Sequence, residues 1–142
     1  MKALKKAKAR PLGKLKGDAW DAFSLYVRTA DCIRTTGTRQ WALCITCGKR
    51  YHMKVLQAGH FIPGRHNAML FSEKGTHAQC YNCNINLKGN TLEYRRQIIR
   101  LYGEGADEEL ERLDQEVRQY KRQDYIDLKE LYKWKLEKLE NG

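Results

Sequence analysis

Four cysteines and one histidine carry the chemistry available to this chain. Cys44-Ile-Thr-Cys47-Gly48 and Cys80-Tyr-Asn-Cys83-Asn84 are two C-x-x-C pairs, and Gly59-His60-Phe61 lies between them. A tight turn lets each pair aim two thiolates at one point, and four thiolates match the closed tetrahedron that Zn²⁺ prefers. Such a site has no open coordination position, so the zinc would staple the chain and take no part in a reaction. Any reaction must come from beside it. There the imidazole of His60 is suited to act as a general base, and Asn84 offers an amide oxygen of the kind that Mg²⁺ or Mn²⁺ accepts. Together they suit phosphodiester hydrolysis, in which imidazole takes a proton from water and a hard divalent ion stabilises the phosphorane and the leaving oxyanion. The rival is a non-catalytic zinc-stapled nucleic-acid-binding module in which His60 only hydrogen-bonds a loop carbonyl. His66 and His77 could ligate the second metal, contact phosphate or do neither.

These residues need elements to position them. Lys54 to Ala58 reads as a short strand running into Gly59-His60, Phe61 to Gly64 as a turn, and Arg65-His66-Asn67 as a polar loop. Met69 to Phe71 reads as a second strand, and Tyr81 to Leu87 as a short helix closed by Gly89. The expectation is an α+β fold with a small zinc-stapled ββα-metal core, flanking helices and a helical C-terminal segment. Before that core, Asp18 is expected to cap a helix with the apolar stripe Trp20, Phe23, Val27 and Ala30. After it, Asn90 and Glu93 suggest a capping box on a helix whose apolar side is Leu92, Ile99 and Tyr102. From Ala106 to Glu140 there is neither Gly nor Pro. The stripe Leu110, Leu113, Val117 and Tyr120 falls out of phase near Arg122 to Asp124 and resumes at Tyr125, Leu128, Tyr132 and Leu139, which predicts two helices or one with a stutter. The expected organisation is a flexible basic arm over 1–17, the zinc-stapled domain with its preceding helix over 18–103, and the helical segment over 104–142.

The 142 residues carry a net charge of +10, unevenly spread. Residues 1–27 hold 7 basic and 2 acidic side chains, residues 28–100 hold 12 and 3, and residues 101–142 hold 8 and 12. A positive field over the cysteine region is the footprint of a nucleic-acid binder that displaces counterions from phosphates. Arg65, His66, Lys88, Arg95, Arg96 and Arg100 are the candidate DNA contacts. No run of 18 or more apolar residues and no hydrophobic stretch behind the basic N-terminus is present, which predicts an intracellular, cytoplasmic protein with no membrane partner. Disulfides are not expected there, and Cys32, the fifth cysteine, reads as a small buried residue.

Longer ordered motifs add a resemblance. Ala58-Gly59-His60-Phe61-Ile62-Pro63, Arg65-His66-Asn67, Phe71 to Lys74, His77 to Asn84, Gly89-Asn90 and Glu93-Tyr94 resemble the phage lambda NinG (Rap) recombination endonuclease family, as do Asp21 to Arg28 and Cys44 to Gly48. The resemblance covers roughly residues 18–140. It implies an HNH-like, metal-dependent endonuclease acting on branched DNA such as Holliday junctions and D-loops, in a phage-encoded protein within the host cytoplasm. It makes Cys44, Cys47, Cys80 and Cys83 zinc ligands, His60 the catalytic histidine, and Asn84 the counterpart of the last HNH residue. The chain departs from the family pattern at Gly75, where asparagine is usual, and at Leu70, where arginine is usual; the position before the histidine, often a metal-binding Asp or His in HNH sites, is Gly59. Gly75 therefore predicts altered loop geometry, with Asn67 as the substitute. His77 is the first candidate for the second ligand of the catalytic Mg²⁺ or Mn²⁺, and His66 the next. A junction cutter incises two strands, which suggests a homodimer joined through the C-terminal segment. A third reading is an adaptor whose acidic tail docks a partner protein.

Overall fold

The computed structural model describes residues 9–141. The long helix α1 (Leu12–Thr36) is its backbone, and Pro11 and the αL Gly37 bound it. It starts ahead of Asp18 because Leu15 extends the apolar series at helical spacing through Ala19, Phe23 and Val27, all buried. Asp18 is thus no cap; it lies within α1 and pairs with Arg10 at 2.8 Å. Of the expected 1–17 arm, Leu12–Gly17 are the first turns of this helix, and residues 1–8 lie outside the described part.

Two antiparallel hairpins pack beside α1. In the first, β1 (Trp41–Leu43) pairs with β2 (Arg50–His52) and frames the first cysteine pair. In the second, β3 (Gln57–His60) pairs with β4 (Thr76–Gln79), setting Gly59 opposite His77 and His60 opposite Thr76. The expected strand over 54–58 therefore begins later, after a 3₁₀ turn at Met53–Val55. The strand expected over 69–71 is instead the short helix α2 (Asn67–Leu70), which buries Met69 and Leu70. The true partner strand, Thr76–Gln79, is buried at every position, so it lacks the polar alternation that advertises a strand.

A π-helical turn, Asn82–Asn86, follows and carries Cys83 and Asn84. Helix α3 (Thr91–Tyr102) buries Tyr94 and Ile98, not the expected side, and Leu92 stands exposed. Asn90 precedes it in the αL region without a capping bond, and Glu93 pairs with Arg96 at 2.8 Å instead of closing a capping box. The remainder is two helices, α4 (Ala106–Asp114) and α5 (Arg122–Asn141). Tyr125 meets Leu15 and Ala19, and Tyr132 meets Phe23 and Val27, so α5 runs alongside α1 in the same direction. That part of the C-terminal stripe is spent inside the chain. Among the described residues, no helix is long and apolar enough to cross a membrane.

Candidate metal centre and histidine cleft

The two hairpins bring the cysteine pairs together. Gly48, at φ 73°, closes the first turn by donating its amide to the Cys44 carbonyl, and the Ile45 amide donates to the Ala78 carbonyl on β4. The Sγ atoms of Cys44, Cys47, Cys80 and Cys83 then lie within 4.8 Å of one another. Backbone amides point at them: Cys80 N lies 3.3 Å from Cys44 Sγ and Cys83 N 3.4 Å from Cys80 Sγ. Burial opposes a thiolate at Cys44, but the amides of Cys47, Cys80 and Thr46 and the Thr46 hydroxyl bring it down to about 7, whereas burial and the neighbouring sulfurs push Cys47 up to about 12. Four thiolates cannot coexist there without a cation. The donor set, its convergence and its N–H···S bonds fit a structural Zn²⁺.

His60 ends β3 and faces an open cleft of about 390 Å³ on the other side of the hairpin from His77, since adjacent strand positions alternate. Its Nε2 lies 3.1 Å from the Leu70 carbonyl oxygen. A carbonyl only accepts, so this bond requires the proton on Nε2 and leaves a lone pair on Nδ1. Burial, with the nearby Arg65 charge adding to it, moves the imidazole pKa below its ordinary value and favours the neutral base at neutral pH. The indole of Trp20 stacks on the ring with centroids 5.2 Å apart, and the Arg65 guanidinium lies 4.5 Å from the same indole. Sequence periodicity marks Trp20 only as a core residue of α1; its stacking on the imidazole is a tertiary fact.

Asn84, Arg65 and Lys88 share the cleft with His60. Asn84 Nδ2 donates to Gln57 Oε1 at 2.7 Å, and this fixes the amide with Oδ1 as the free acceptor. Among the described residues, no carboxylate lines the cleft. A Cβ at Gly59 would come within 2.0 Å of Gln79 Oε1, so the Asp or His that HNH sites often carry there would fit only if Gln79 moved. Gln79 occupies that space because its Nε2 donates to Thr46 Oγ1 at 3.1 Å and to the Gly89 carbonyl at 2.9 Å, joining the cysteine knuckle to the cleft rim. At Gly75, where the resemblance expects asparagine, two hydrogen bonds hold the loop: Phe61 N donates to Gly75 O at 2.8 Å, and Gly75 N donates to Ser72 Oγ at 3.1 Å. Asn67 does not substitute for it; its amide donates to the Arg118 carbonyl.

Other expected site residues stand apart. His77 is buried with both ring nitrogens engaged, Nδ1 at 3.1 Å from the Asp31 carboxylate and Nε2 at 2.8 Å from the Tyr102 hydroxyl, so it has no lone pair for a catalytic ion. His66 lies 3.1 Å from Asp114 and is not a wall of the cleft. Arg95 is drawn to Asp107 at 2.6 Å and also pairs with Glu111, because the acidic first turn of α4 faces α3; it is a helix-to-helix clamp and not a free phosphate contact. Arg96 pairs with Glu93 at 2.8 Å. Arg100 lies with Arg34 along a separate cleft beside the first cysteine pair.

Over its full length, residues 1–142, the chain matches the family model described as Bacteriophage Lambda NinG protein. It belongs to the NinG family. Two curated relatives, Protein ninG of Escherichia phage 933W and Protein ninG of Enterobacteria phage VT2-Sa, are each 35% identical to this NinG-family chain over 69 residues. The alignment takes in 48% of the chain and 34% of each relative, so the match spans about a third of the curated proteins' length. No solved structure matches it.

Proposed function

We propose that this NinG-family protein is a structure-specific DNA endonuclease that hydrolyses phosphodiesters of branched recombination intermediates, Holliday junctions and D-loops among them. The observation that carries the reading is the His60 imidazole, held by the Leu70 carbonyl with a free Nδ1, beside two cations in one open cleft. Nδ1 takes the proton of the attacking water, and burial keeps it available for this at neutral pH. Arg65 and Lys88 hold the scissile phosphate and offset charge that grows on its oxygens. Asn84 Oδ1 is the side-chain oxygen placed to hold Mg²⁺ or Mn²⁺. Sites for such ions usually supply one or two carboxylates besides substrate phosphate and water, so with Asn84 as its side-chain ligand the ion would depend on the DNA phosphate for its negative charge. Bound there, the ion would supply Lewis-acid stabilisation of the leaving oxyanion. A net charge of +10 with few base-reading groups in the cleft favours recognition of shape over sequence. A homodimer, matching two incisions per junction, belongs to this proposal.

One observation favours a second reading, a zinc-stapled module that binds nucleic acid without cutting it: among the described residues, the only cluster of three or more His, Cys, Asp or Glu ligands is the cysteine one. Cleavage of a labelled four-way junction beside matched linear duplex separates the two, with Mn²⁺, with Mg²⁺ and without either. Cutting that needs the divalent ion and disappears in His60→Ala while binding persists supports the nuclease. Tight binding with no cutting under any ion supports the module.

A further inference from the structure

A second cleft of about 380 Å³ adjoins the first and shares Trp20, Ala58, Arg65, Asn84 and Ile85 with it. Its remaining walls differ in kind. Leu56 is buried, while Ser24 and Gln57 are the polar groups. Gln57 spends Oε1 on Asn84, so its amide N–H groups remain as donors, and the Ser24 hydroxyl, which accepts from Arg28 Nε at 3.1 Å, keeps its own proton to donate. Ile85 stands 48% exposed on the π-helical turn, on the rim common to both clefts.

The exposed lining of this slot is mainly polar, with Trp20 and Ile85 at its rim, and its amide and hydroxyl donors suit a heteroaromatic ring whose edge carries acceptors. The first cleft has the paired cations that suit a phosphate, and a nucleotide carries both groups covalently linked. We propose that the second cleft receives an unstacked nucleobase of DNA next to the phosphate facing His60. The proposal rests on the reading of the first cleft as a phosphodiester site and names what that site selects. A base in continuous duplex must first be unpaired and unstacked, whereas at a branch point that cost falls, so the slot would discriminate branched from linear DNA without reading sequence. The π turn is how Ile85 reaches this rim, since the extra residue per turn shifts side-chain direction along the segment.

The test uses the zinc-loaded full chain without Mg²⁺ or Mn²⁺, and a four-way junction with 2-aminopurine at the branch nucleotide or, as control, in the middle of an arm. Binding is followed by anisotropy, and base environment by 2-aminopurine emission. The expected result is at least a twofold emission change at the branch position, none in the arm, and loss of the change in Ser24→Phe, which fills the slot, and in Ile85→Ala, which removes a wall. Ser24→Phe should still bind linear duplex with the wild-type salt dependence. Tight junction binding with no branch-specific change, or with the same change in wild type and both variants, would overturn the base slot alone. Failure to bind any DNA would overturn the slot together with the nuclease reading.

Discussion

The indole of Trp20 and the imidazole of His60 lie stacked, ring centroids 5.2 Å apart and planes inclined by 26°. The contact ties α1 to the end of β3, so the helix that organises the fold also covers the proposed base. Two consequences follow from that one contact: the ring is held against rotation about the Leu70 bond, and its far side is kept from water. Burial is the largest cause of the lowered imidazole pKa.

Trp20→Ala should therefore move the pKa of His60 up, toward about 6.5. Since the base form is the active one, the acid limb of the kcat/KM profile should shift to higher pH, with a rate loss on the order of 10²-fold at neutral pH from lost orientation. Trp20→Phe should restore most of both. A rate loss with the acid limb unmoved would show that Trp20 acts only through packing.

Zinc removal should act on folding before activity. The cysteine pairs join the first hairpin to β4 and the π turn, and the apparent free energy of such a site is on the order of 10 kcal/mol. Titration with a strong chelator should release one zinc per chain and loosen the two hairpins while α1 and α5, which pack on each other, keep much of their helicity. Far-UV circular dichroism and hydrogen exchange resolved by segment check this. Uniform loss of protection across the chain would contradict a staple local to the hairpins.

Two glycines should respond differently: Gly59, at a position where HNH sites often carry Asp or His, and Gly75, where the family usually has asparagine. Gly59→Ala puts a Cβ 2.0 Å from Gln79 Oε1 and 2.9 Å from Gln79 Cβ, and the glutamine is fully buried with its amide nitrogen committed twice. Thermal or denaturant unfolding should show a loss of about 1–3 kcal/mol. At Gly75 the nearest atoms are Met69 Cε and Ser72 Oγ, both at 3.1 Å; the Met69 methyl ends a flexible side chain and can give way, while Ser72 Oγ stays on the Gly75 amide. Gly75→Asn should cost about 1 kcal/mol or less, and leave cleavage near wild type, because hydrogen bonds already hold that loop.

What could be read from the chain alone follows from how local the signal is. The cysteine pairs announce their site because a C-x-x-C turn is defined by four consecutive residues. His60, Asn84, Arg65 and Lys88 fall around one cleft because the hairpin and the turn after it are short. The position of β4 escaped detection, since Thr76–Gln79 is buried throughout and mixes polar with small residues. Arg95 and His77 are turned from the expected roles by tertiary partners: Asp107 holds the Arg95 guanidinium, the Asp31 carboxylate accepts from His77 Nδ1 and the Tyr102 hydroxyl engages Nε2, and no spacing rule reports such partners. Asp31 drew no notice on its helix, although its carboxylate accepts from the Ala78 amide at 2.6 Å and faces both His77 and Arg34.

That carboxylate yields the final prediction. Burial would raise the pKa of Asp31, yet His77, Arg34 and the Ala78 amide outweigh it and hold the group below the usual aspartate range. A depressed folded pKa means that the stabilisation is complete above the unfolded value, near 3.9, and is lost as pH falls through the folded one. His77→Ala removes a main counter-partner and leaves the buried carboxylate poorly matched. Breaking a buried pair from one side costs roughly 3–5 kcal/mol, so the variant should unfold at lower denaturant and its acid-unfolding midpoint should move to higher pH. Asp31→Asn in the same background should recover part of the loss, since the charge left unmatched is gone. The divalent-ion dependence of cleavage, compared at a temperature where both proteins stay folded, should not change. A large rise in the Mn²⁺ concentration needed by His77→Ala would instead return this histidine to the catalytic metal.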